Sequence, residues 1–319
     1  MIEMPKVRKI LRVCRPAQAA MGVLLSALAM SPSHGGTLVR VGTSLGDYTI
    51  ELLDDEAPLT VQNFLNYVNR DAYDGTYIHR LLAGSVVQGG GFGFELFVGP
   101  IPVEADPPVA NEFGRSNTRG TVAMAKFPDD PNSATTQWFV NIADNSDPLD
   151  TQNEGFTVFG NVLGEGLAVL DGINQLPTLE LGLNTPSAPY FTESYRNPLD
   201  FVYINATVVE RFSGAPHVYE VNTGTLITSV SVDGSANPVE LHFKTVSSQN
   251  GLILQAIPKS IIPKRDSFEG IASYSTADGR LRIPSLETFD GTTVSLFSNV
   301  VFVLSNPALN EFTLESFEQ

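Results

Sequence analysis

Cysteine is nearly absent from this sequence, which has only Cys14 in its 319 residues. Cys14 lies in an N-terminal stretch whose pattern predicts removal from the mature chain. A mature chain without cysteine forms no disulfide bond and offers no thiol nucleophile. The four histidines are too scattered to form a recognisable metal set, so the sequence predicts no zinc site. They are His34, His79, His217 and His242.

Basic residues are also scarce. There are 19 lysines and arginines against 35 aspartates and glutamates, which gives a formal net charge of −16. Five of the basic residues and one acidic residue fall within residues 1–29, so the chain without that segment would carry about 20 net negative charges. Such a charge argues against nucleic acid and anionic membrane surfaces as partners.

The apolar run over residues 17–29 is too short to span a bilayer, which requires about 20 apolar residues. It follows five basic residues and ends in Ala27-Leu28-Ala29, which is the layout of a secretory signal peptide. The sequence therefore predicts an exported protein that is cleaved near Ala29 or just before Gly36. An uncleaved anchor and a misassigned start codon stay open as alternatives.

The remaining chain has the patterns of many short strands and two helices. Alternating apolar residues predict an opening hairpin with strands in 38–41 and 48–52. Apolar residues at i, i+3, i+4 and i+7 behind Pro58 predict a helix over 57–69. A second, weaker pattern predicts a helix over 165–173.

The length suggests two domains, and residues 212–218 have the composition of a linker. Beyond that linker, residues 219–319 have no helical periodicity and predict a small β-rich domain. One pattern occurs twice in this domain, 55 residues apart, which favours an internal duplication. The matched residues are Tyr219, Gly224 and Leu226 in the first copy, and Tyr274, Gly279 and Leu281 in the second. Two unrelated β segments with common turn residues are the alternative.

One apolar, β-prone stretch contains two polar side chains, Arg80 and Gln88, and ends in three glycines. An even spacing in an extended chain puts both side chains on one face, where they could form the polar part of a pocket. Arginine keeps its charge and has a rigid fork of donors. The alternative is a strand whose arginine reaches solvent and whose glutamine caps a turn.

Other chemistries fit the sequence poorly. The acidic run over 144–150 lacks the glycine and the late glutamate of an EF-hand loop, so a solvated loop is favoured over a calcium site. The glycines at 89–91 are followed neither by a P-loop lysine nor by a dinucleotide-binding spacing. Ser85 has no histidine and aspartate in a plausible triad order. The sequence thus indicates neither a cofactor nor a covalent mechanism.

Four motifs, in one order, resemble the cyclophilin family of peptidyl-prolyl isomerases, and the resemblance covers about residues 37–211. The sequence of residues 117–121 and 141–145 is more similar to that of bacterial members than to that of eukaryotic ones. The motifs are Ile78-His79-Arg80 with Gly84, Gln88-Gly89-Gly90 and Phe92; residues 117–125; residues 133–139; and residues 158–160.

This resemblance implies a mainly β fold, a closed eight-stranded antiparallel barrel capped by two helices. It implies that Arg80 stabilises a twisted prolyl amide, while Gln88 hydrogen-bonds the substrate backbone or orients the arginine. Phe139 is carried over as the third catalytic residue. The resemblance also implies a set of substrate-binding residues: His79, Ser85, Val86, Met124, Ala125, Gln137, Leu149 and Phe156. Bacterial export would place the protein in the periplasm or outside the cell.

The sequence also departs from the family pattern. Ser85 and Val86 stand where the family usually has phenylalanine and methionine, which removes one large wall of the implied proline pocket. Pro148 and Phe156 replace the usual tryptophan and histidine of the groove. Trp138 is expected in the core, so strong cyclosporin binding is not expected.

Two functions remain open from the sequence. The first is an active isomerase that acts on proline-containing polypeptides and assists the folding of exported proteins. The second is a peptide-binding or chaperone protein of the cell envelope with weak or no catalysis, in which the C-terminal domain provides attachment. Neither requires a metal or a cofactor.

Overall fold

The computed structural model describes residues 35–182, 187–191, 198–247, 251–265 and 269–319. The predicted signal segment, Cys14 and His34 lie outside the described residues. No helix within the described ranges is long and apolar enough to cross a membrane.

The described residues are mainly β, as the sequence predicts. Their helices are α1 Pro58–Asn69, α2 Ser146–Leu149 and α3 Gly166–Asn174, with short 3₁₀ turns at Gln152–Glu154 and Pro198–Asp200. The strands before residue 210 are β1 Leu38–Thr43, β2 Gly46–Leu52, β3 Thr76–Tyr77, β4 Arg80–Leu82, β5 Val86–Gly89, β6 Phe92–Glu95, β7 Gly99–Pro102, β8 Thr121–Met124, β9 Trp138–Asn141, β10 Val158–Val162, β11 Thr178–Leu179, β12 Ala188–Pro189 and β13 Tyr203–Val209. The later strands are β14 His217–Glu220, β15 Thr225–Val232, β16 Val239–Ser247, β17 Ile253–Pro263, β18 Ala272–Ser275, β19 Arg280–Phe289, β20 Val294–Asn306 and β21 Glu311–Glu318.

The opening hairpin and both predicted helices are confirmed. Strands β1 and β2 pair antiparallel around a turn at 44–45, and α1 begins with Pro58 in its first turn, as the fixed φ of proline favours. The apolar face of α1 is buried, and the ring of Phe64 lies edge-on to Trp138 at 6.1 Å. Trp138 is fully buried, so its indole belongs to the core.

The first sheet has the order β4-β5-β9-β8-β10-β2-β1-β13-β3-β6-β7. Only Ile78 and His79 separate β3 from β4, and their amides turn to opposite neighbours. The amide of Ile78 donates to Val202 O beside β13 at 2.9 Å, and that of His79 donates to Gln88 O of β5 at 3.2 Å. Strands β4 and β3 stand at the two ends of the part of the sheet that runs from β4 to β3. The two residues between β3 and β4 thus hydrogen-bond toward both of these ends.

The second sheet is a closed barrel of seven strands. The order is β14-β15-β16-β17-β21-β20-β19, and β14 pairs in parallel with β19 to complete the ring. Strand β18 pairs with β15 and β19. The interior is filled by apolar side chains of the inward face, including Leu226, Phe243, Leu281 and Phe302.

The two sheets meet through buried charges. Strand β13 ends at Val209 and β14 begins at His217, so the connection is short. The ammonium group of Lys264, the residue after β17, lies 2.7 Å from Asp47 Oδ1 of β2 and 2.8 Å from Thr43 O of β1. Arg40 forms a salt bridge with Oδ2 of the same Asp47 carboxylate. Burial of the Lys264 ammonium is thus compensated by partners on the opposite sheet.

Candidate active site

A hairpin brings Arg80 and Gln88 together. Strands β4 and β5 pair antiparallel with Arg80 directly opposite Gln88, and Gly84 takes the positive φ of +73° that their turn requires. Residues directly opposite each other share a face of the sheet. The sequence prediction of a shared face was right, but the chain reverses between the two residues and does not run extended.

The guanidinium of Arg80 is held by an amide. Its Nη1 donates to Gln88 Oε1 at 3.0 Å, and Gln88 is buried. In the part of the chain that the structure describes, Arg80 makes no salt bridge. Its charge is therefore oriented by a neutral partner and not by a carboxylate of the described residues.

The hydrogen-bond chain continues behind Gln88. Its Nε2 donates to Gln137 Oε1 at 2.7 Å, and the same oxygen lies 3.1 Å from His79 Nε2. Because an amide oxygen only accepts, His79 is the donor and carries its proton on Nε2. Burial lowers the pKa of His79 to about 4, so the ring is neutral at pH 7. His79 and Gln137 thus position Gln88 from behind.

Phe139, the β9 residue paired with Gln88, belongs to an apolar cluster that is the candidate for the proline pocket implied by the resemblance. The buried members of the cluster are Val86, Ala123, Phe139 and Val158, and the partly buried Leu53, Ala125, Leu149 and Phe156 pack against them. The rings of Phe139 and Phe156 meet edge-on with centroids 5.8 Å apart. The structure therefore brings together five of the residues that the resemblance implied: Val86, Ala125, Phe139, Leu149 and Phe156.

Met124 lies elsewhere. Its side chain is fully buried in the main core, where Met124 pairs with Trp138 across β8 and β9, so it does not line the groove. Side chains alternate along a strand, and β8 turns Ala123 to the pocket and Met124 inward. The sequence analysis missed Ala123 and Val158, and the alternation of β8 was the available signal for Ala123.

Ser85 sits at the end of the β4–β5 turn and is fixed by asparagine. Its Oγ donates to Asn145 Oδ1 at 3.0 Å, while Asn145 Nδ2 donates to Ser85 O and Asn141 Oδ1. Asn141 in turn donates to Thr121 Oγ1 at 2.9 Å. This buried network fixes the loop after β9 beside the pocket. Its asparagines were not recognised as site residues from the sequence.

Gln88 and Gln137 line a cavity of about 130 Å³. Lys126 and Phe127 line it, and Phe127 is 71% exposed. The ammonium of Lys126 lies 5.0 Å from the centre of the Phe156 ring and donates to Gly155 O at 2.6 Å. Burial lowers the pKa of Lys126. The sequence analysis assigned no role to either residue.

The acidic run has structural partners. Asp150 accepts from the backbone amide of Asn117 at 2.9 Å, and Asp144 accepts from Ser146 Oγ at 2.6 Å. Within the described ranges, no group of three or more histidine, cysteine, aspartate or glutamate side chains could hold a metal ion. What these residues offer is a fixed cation with amide partners beside an apolar pocket.

Comparison with known proteins identifies the family. Residues 38–190 match the family described as cyclophilin type peptidyl-prolyl cis-trans isomerase. The peptidyl-prolyl cis-trans isomerase A of Dickeya dadantii is 40% identical over 184 residues, which cover 55% of this chain and 94% of that protein. The peptidyl-prolyl cis-trans isomerase of Acinetobacter baylyi is 38% identical over 175 residues, 53% of this chain and 87% of that protein.

Peptidyl-prolyl cis-trans isomerase B of Escherichia coli is 39% identical over 154 residues, which cover 46% of this chain and 90% of that protein. Among solved structures, a cyclophilin type isomerase of Cryptosporidium parvum matches with a TM-score of 0.41 and 21% identity, over 55% of this chain and 99% of that one. The curated relatives are matched over nearly their whole length and well above 30% identity. The chain therefore belongs to the cyclophilin-type peptidyl-prolyl cis-trans isomerase family.

Proposed function

We propose that this protein accelerates cis–trans rotation of the peptide bond before proline. One observation carries the proposal: Arg80, held by Gln88, lies two strands from Phe139, because Arg80 pairs with Gln88 and Gln88 pairs with Phe139, which packs with Phe156 in the apolar cluster. The relatives named as peptidyl-prolyl cis-trans isomerases support the same activity.

The reaction requires no covalent step. Amide resonance opposes rotation with a barrier of roughly 18–20 kcal/mol, and uncatalysed exchange before proline takes about 10–100 s. When the bond twists, the prolyl nitrogen regains its lone pair. A cationic donor near that nitrogen stabilises the twisted state more than either planar state, which lowers the barrier.

The candidate pocket would take the proline ring, because the side chains of the cluster are apolar and two of them, Phe139 and Phe156, are aromatic. The Gln88 amide has a positioning role, since its oxygen receives the Arg80 donor and its nitrogen is held by Gln137. A guanidinium held in this way loses less freedom when it meets the substrate. Ser85 contributes a hydroxyl in place of an aromatic wall, so we expect weak binding of proline peptides.

We infer that the catalytic part forms an eight-stranded barrel in which β3 and β4 act as one interrupted strand. The amides of Ile78 and His79, which donate to Val202 O beside β13 and to Gln88 O of β5, support this closure. Helices α1 and α3 would cover its ends. A closed sheet has no free edge and holds Arg80 in a rigid wall.

We further propose that the substrates are proline-containing segments of exported polypeptides in the bacterial periplasm or outside the cell. The basic and apolar pattern of residues 1–29 supports export. No nucleic acid or metal partner is proposed, because the acidic net charge disfavours the first and the reaction does not need the second. Detection of the chain in a periplasmic or culture fraction, with a shortened N-terminus, would test this.

The activity is tested by a protease-coupled assay on a proline peptide with wild type, Arg80→Ala and Arg80→Lys. We expect Arg80→Ala to lower kcat/KM by more than about 100-fold, or on the order of 3 kcal/mol of transition-state stabilisation. Arg80→Lys should restore little, because a lysine lacks the planar fork that Gln88 orients. Arg115→Ala, which removes an exposed arginine paired with Glu56, is the control.

An unchanged rate in Arg80→Ala would rule out the donor mechanism. If wild type binds proline peptides without turnover, the protein is a peptide-binding member of the family and not an isomerase. The free energy of unfolding of each variant should be measured in parallel, since a partly exposed arginine should contribute little to it.

A further inference from the structure

The seven-stranded C-terminal barrel contains a cavity that the isomerase function does not use. Its volume is about 390 Å³, within the range of roughly 300–1,000 Å³ that is typical of small-molecule sites. Four of its lining residues, Tyr219, Leu286, Phe297 and Phe302, also belong to the buried core of the barrel. The cavity is therefore continuous with the barrel interior and is not a groove on its outer surface.

The strand geometry accounts for the opening. The β20–β21 pairing shifts register at Ser298, Val301 and Phe302. Such bulges bend a strand and re-aim its side chains, often beside functional sites. Among the described residues, the last hydrogen bond between β21 and the β17 side of the barrel is donated by Leu314 N to Leu252 O. After Leu314, β21 pairs with β20. Phe302, Leu314 and Ser316, which line the cavity, lie at these register shifts.

The cavity leaves apolar surface uncovered. Val221, Leu252, Leu314 and Phe317 line it and are only half-buried, although they pack against the core. Protein interiors rarely keep voids larger than a water molecule. Apolar area left in water forfeits about 25 cal/mol per Å². A ligand with an apolar body would recover that free energy.

The charges at the mouth decide which ligands fit. The lining contains no lysine, arginine or histidine among the described residues. Its one carboxylate, Glu315, is already bound by Arg280 through two contacts of 2.7 Å. Thr288 and Ser316 are further polar side chains that line it, and Tyr219, which also lines it, has its hydroxyl hydrogen-bonded to Thr245 Oγ1 at 3.0 Å. An anionic head group would find no free cation and would be repelled by a chain of net charge −16.

From this geometry we propose that the C-terminal barrel binds a neutral apolar small molecule, with at most a hydroxyl or carbonyl group placed at Thr288 and Ser316. The site is separate from the proline pocket, since every residue that lines it lies beyond residue 218. The proposal holds whether or not the isomerase activity is found.

The test uses the full chain and the neutral fluorescent probe N-phenyl-1-naphthylamine. We expect saturable binding of one probe per chain, displaced by 1-decanol. Decanoate, of equal chain length, should need an at least tenfold higher concentration, because it carries a charge that the mouth cannot pair. A saturating proline peptide should leave the probe signal unchanged. Displacement by that peptide would place the probe in the catalytic groove and would overturn the proposal.

Variants locate the site. Ser316→Trp puts a bulky ring at the exposed mouth and should weaken probe binding at least tenfold. Ser273→Trp is the matched control, because Ser273 of β18 is also exposed on this barrel but does not line the cavity. Val221→Phe fills the same space from the turn after β14 and should act like Ser316→Trp, which guards against a folding defect in either one. Wild-type binding in both blocking variants, no saturable binding by wild type, or equal displacement by decanoate and decanol would each contradict the proposal.

Discussion

Ser85 stands where the family usually has an aromatic side chain, so substituting it measures what that side chain would add to proline binding. Ser85→Phe would add apolar contact worth roughly 1–3 kcal/mol if it were fully realised. It would also remove the Ser85 hydroxyl bond to Asn145, which costs about 1 kcal/mol of stability. We expect a lower KM or a higher kcat/KM for proline peptides, with a slightly lower free energy of unfolding.

The control for this variant is Ser85→Ala, which removes the same hydroxyl without adding a ring. It should reproduce the loss of stability and leave KM unchanged. If Ser85→Phe and Ser85→Ala have the same kinetics, the ring does not reach the substrate, and the pocket is complete with Val86, Phe139 and Phe156 alone.

The buried carboxyl of Asp74 should make the stability of the protein depend on pH. Burial raises the pKa of this carboxyl to about 6, although the nearby His242 opposes the rise. A raised pKa stabilises the folded state fully below the unfolded value of about 3.9, and the contribution is lost as pH rises through about 6. Asp74→Asn should therefore gain stability relative to wild type between pH 4 and 7, by about 3 kcal/mol in total.

Denaturant titrations of wild type and Asp74→Asn at several pH values in this window measure the effect. The asparagine can still accept the hydrogen bond that Ala206 N donates to Asp74. Groups facing Asp74 from β16, including His242 and Glu240, remain in both proteins. The exposed Asp129→Asn is the control. A difference that does not change with pH would show that Asp74 is ionised throughout.

At the scale of elements, β1 and β16 approach each other closely enough to require glycine. A Cβ at Gly42 would overlap the carboxylate of Glu240. That carboxylate cannot move freely, because Asn205 Nδ2 donates to it at 3.1 Å and His242 Nε2 lies 2.9 Å away. The hydrogen bond and charge of Glu240 outweigh burial and raise the pKa of His242.

Gly42→Ala should therefore destabilise the protein by about 1–3 kcal/mol, the usual cost of overpacking. Isomerase activity should be retained, since Gly42 lies outside the pocket. Gly114→Ala is the matched control, because the nearest atom to its Cβ would be 3.9 Å away. Equal stability of the two variants, measured by chemical denaturation, would show that the contact between β1 and β16 adapts.

The duplication proposed for residues 219–319 stays a prediction, but matched hairpins support it. Tyr219 pairs with Leu226 between β14 and β15, and Tyr274 pairs with Leu281 between β18 and β19. The glycines of both turns have positive φ, 70° and 65°. The carbonyl oxygen of Gly224 accepts a hydrogen bond from Thr245 N, and that of Gly279 accepts one from Leu304 N, so each turn is bonded to a later strand. A repeated pattern of turn and strand residues thus occurs with a repeated hydrogen-bond pattern.

For the whole molecule, we predict that residues 37–211 expressed alone keep the isomerase activity of the full chain. The residues of the candidate site lie before the connection, while Lys264 and Glu240 contact β1 and β2 away from the pocket. The fragment should be less stable, because it exposes Asp47 and the apolar surface of Tyr77 and Phe201 that Ile262 covers. Activity assays and thermal unfolding of both proteins measure this.

The wild-type chain serves as the reference in that experiment, and the fragment must first show cooperative unfolding. A folded but inactive fragment would mean that the C-terminal barrel completes the catalytic site. A fragment as stable as the full chain would mean that the buried charges at the interface contribute nothing net, which is a known behaviour of buried ion pairs.

The sequence alone determined the family and the mainly β composition, and it supplied Arg80 and Gln88 as the central residues of the proposed site. Motifs such as Arg80 with Gln88 are local in the chain, and local spacing predicts hairpins and helices well because it follows backbone periodicity. The helix bounds were correct to one residue for this reason. Arg80 and Gln88 do share a face, although through a hairpin.

Only the tertiary structure decided the rest. Whether Met124 or Ala123 faces the pocket depends on which face of β8 is turned to the core, and a shift of one residue exchanges them. The contact of Lys264 with Asp47 joins residues 217 positions apart, and no local pattern encodes such a pair. The cavity of the second barrel likewise depends on bulges in β20 and β21, which are set by long-range pairing and not by the order of residues along one strand.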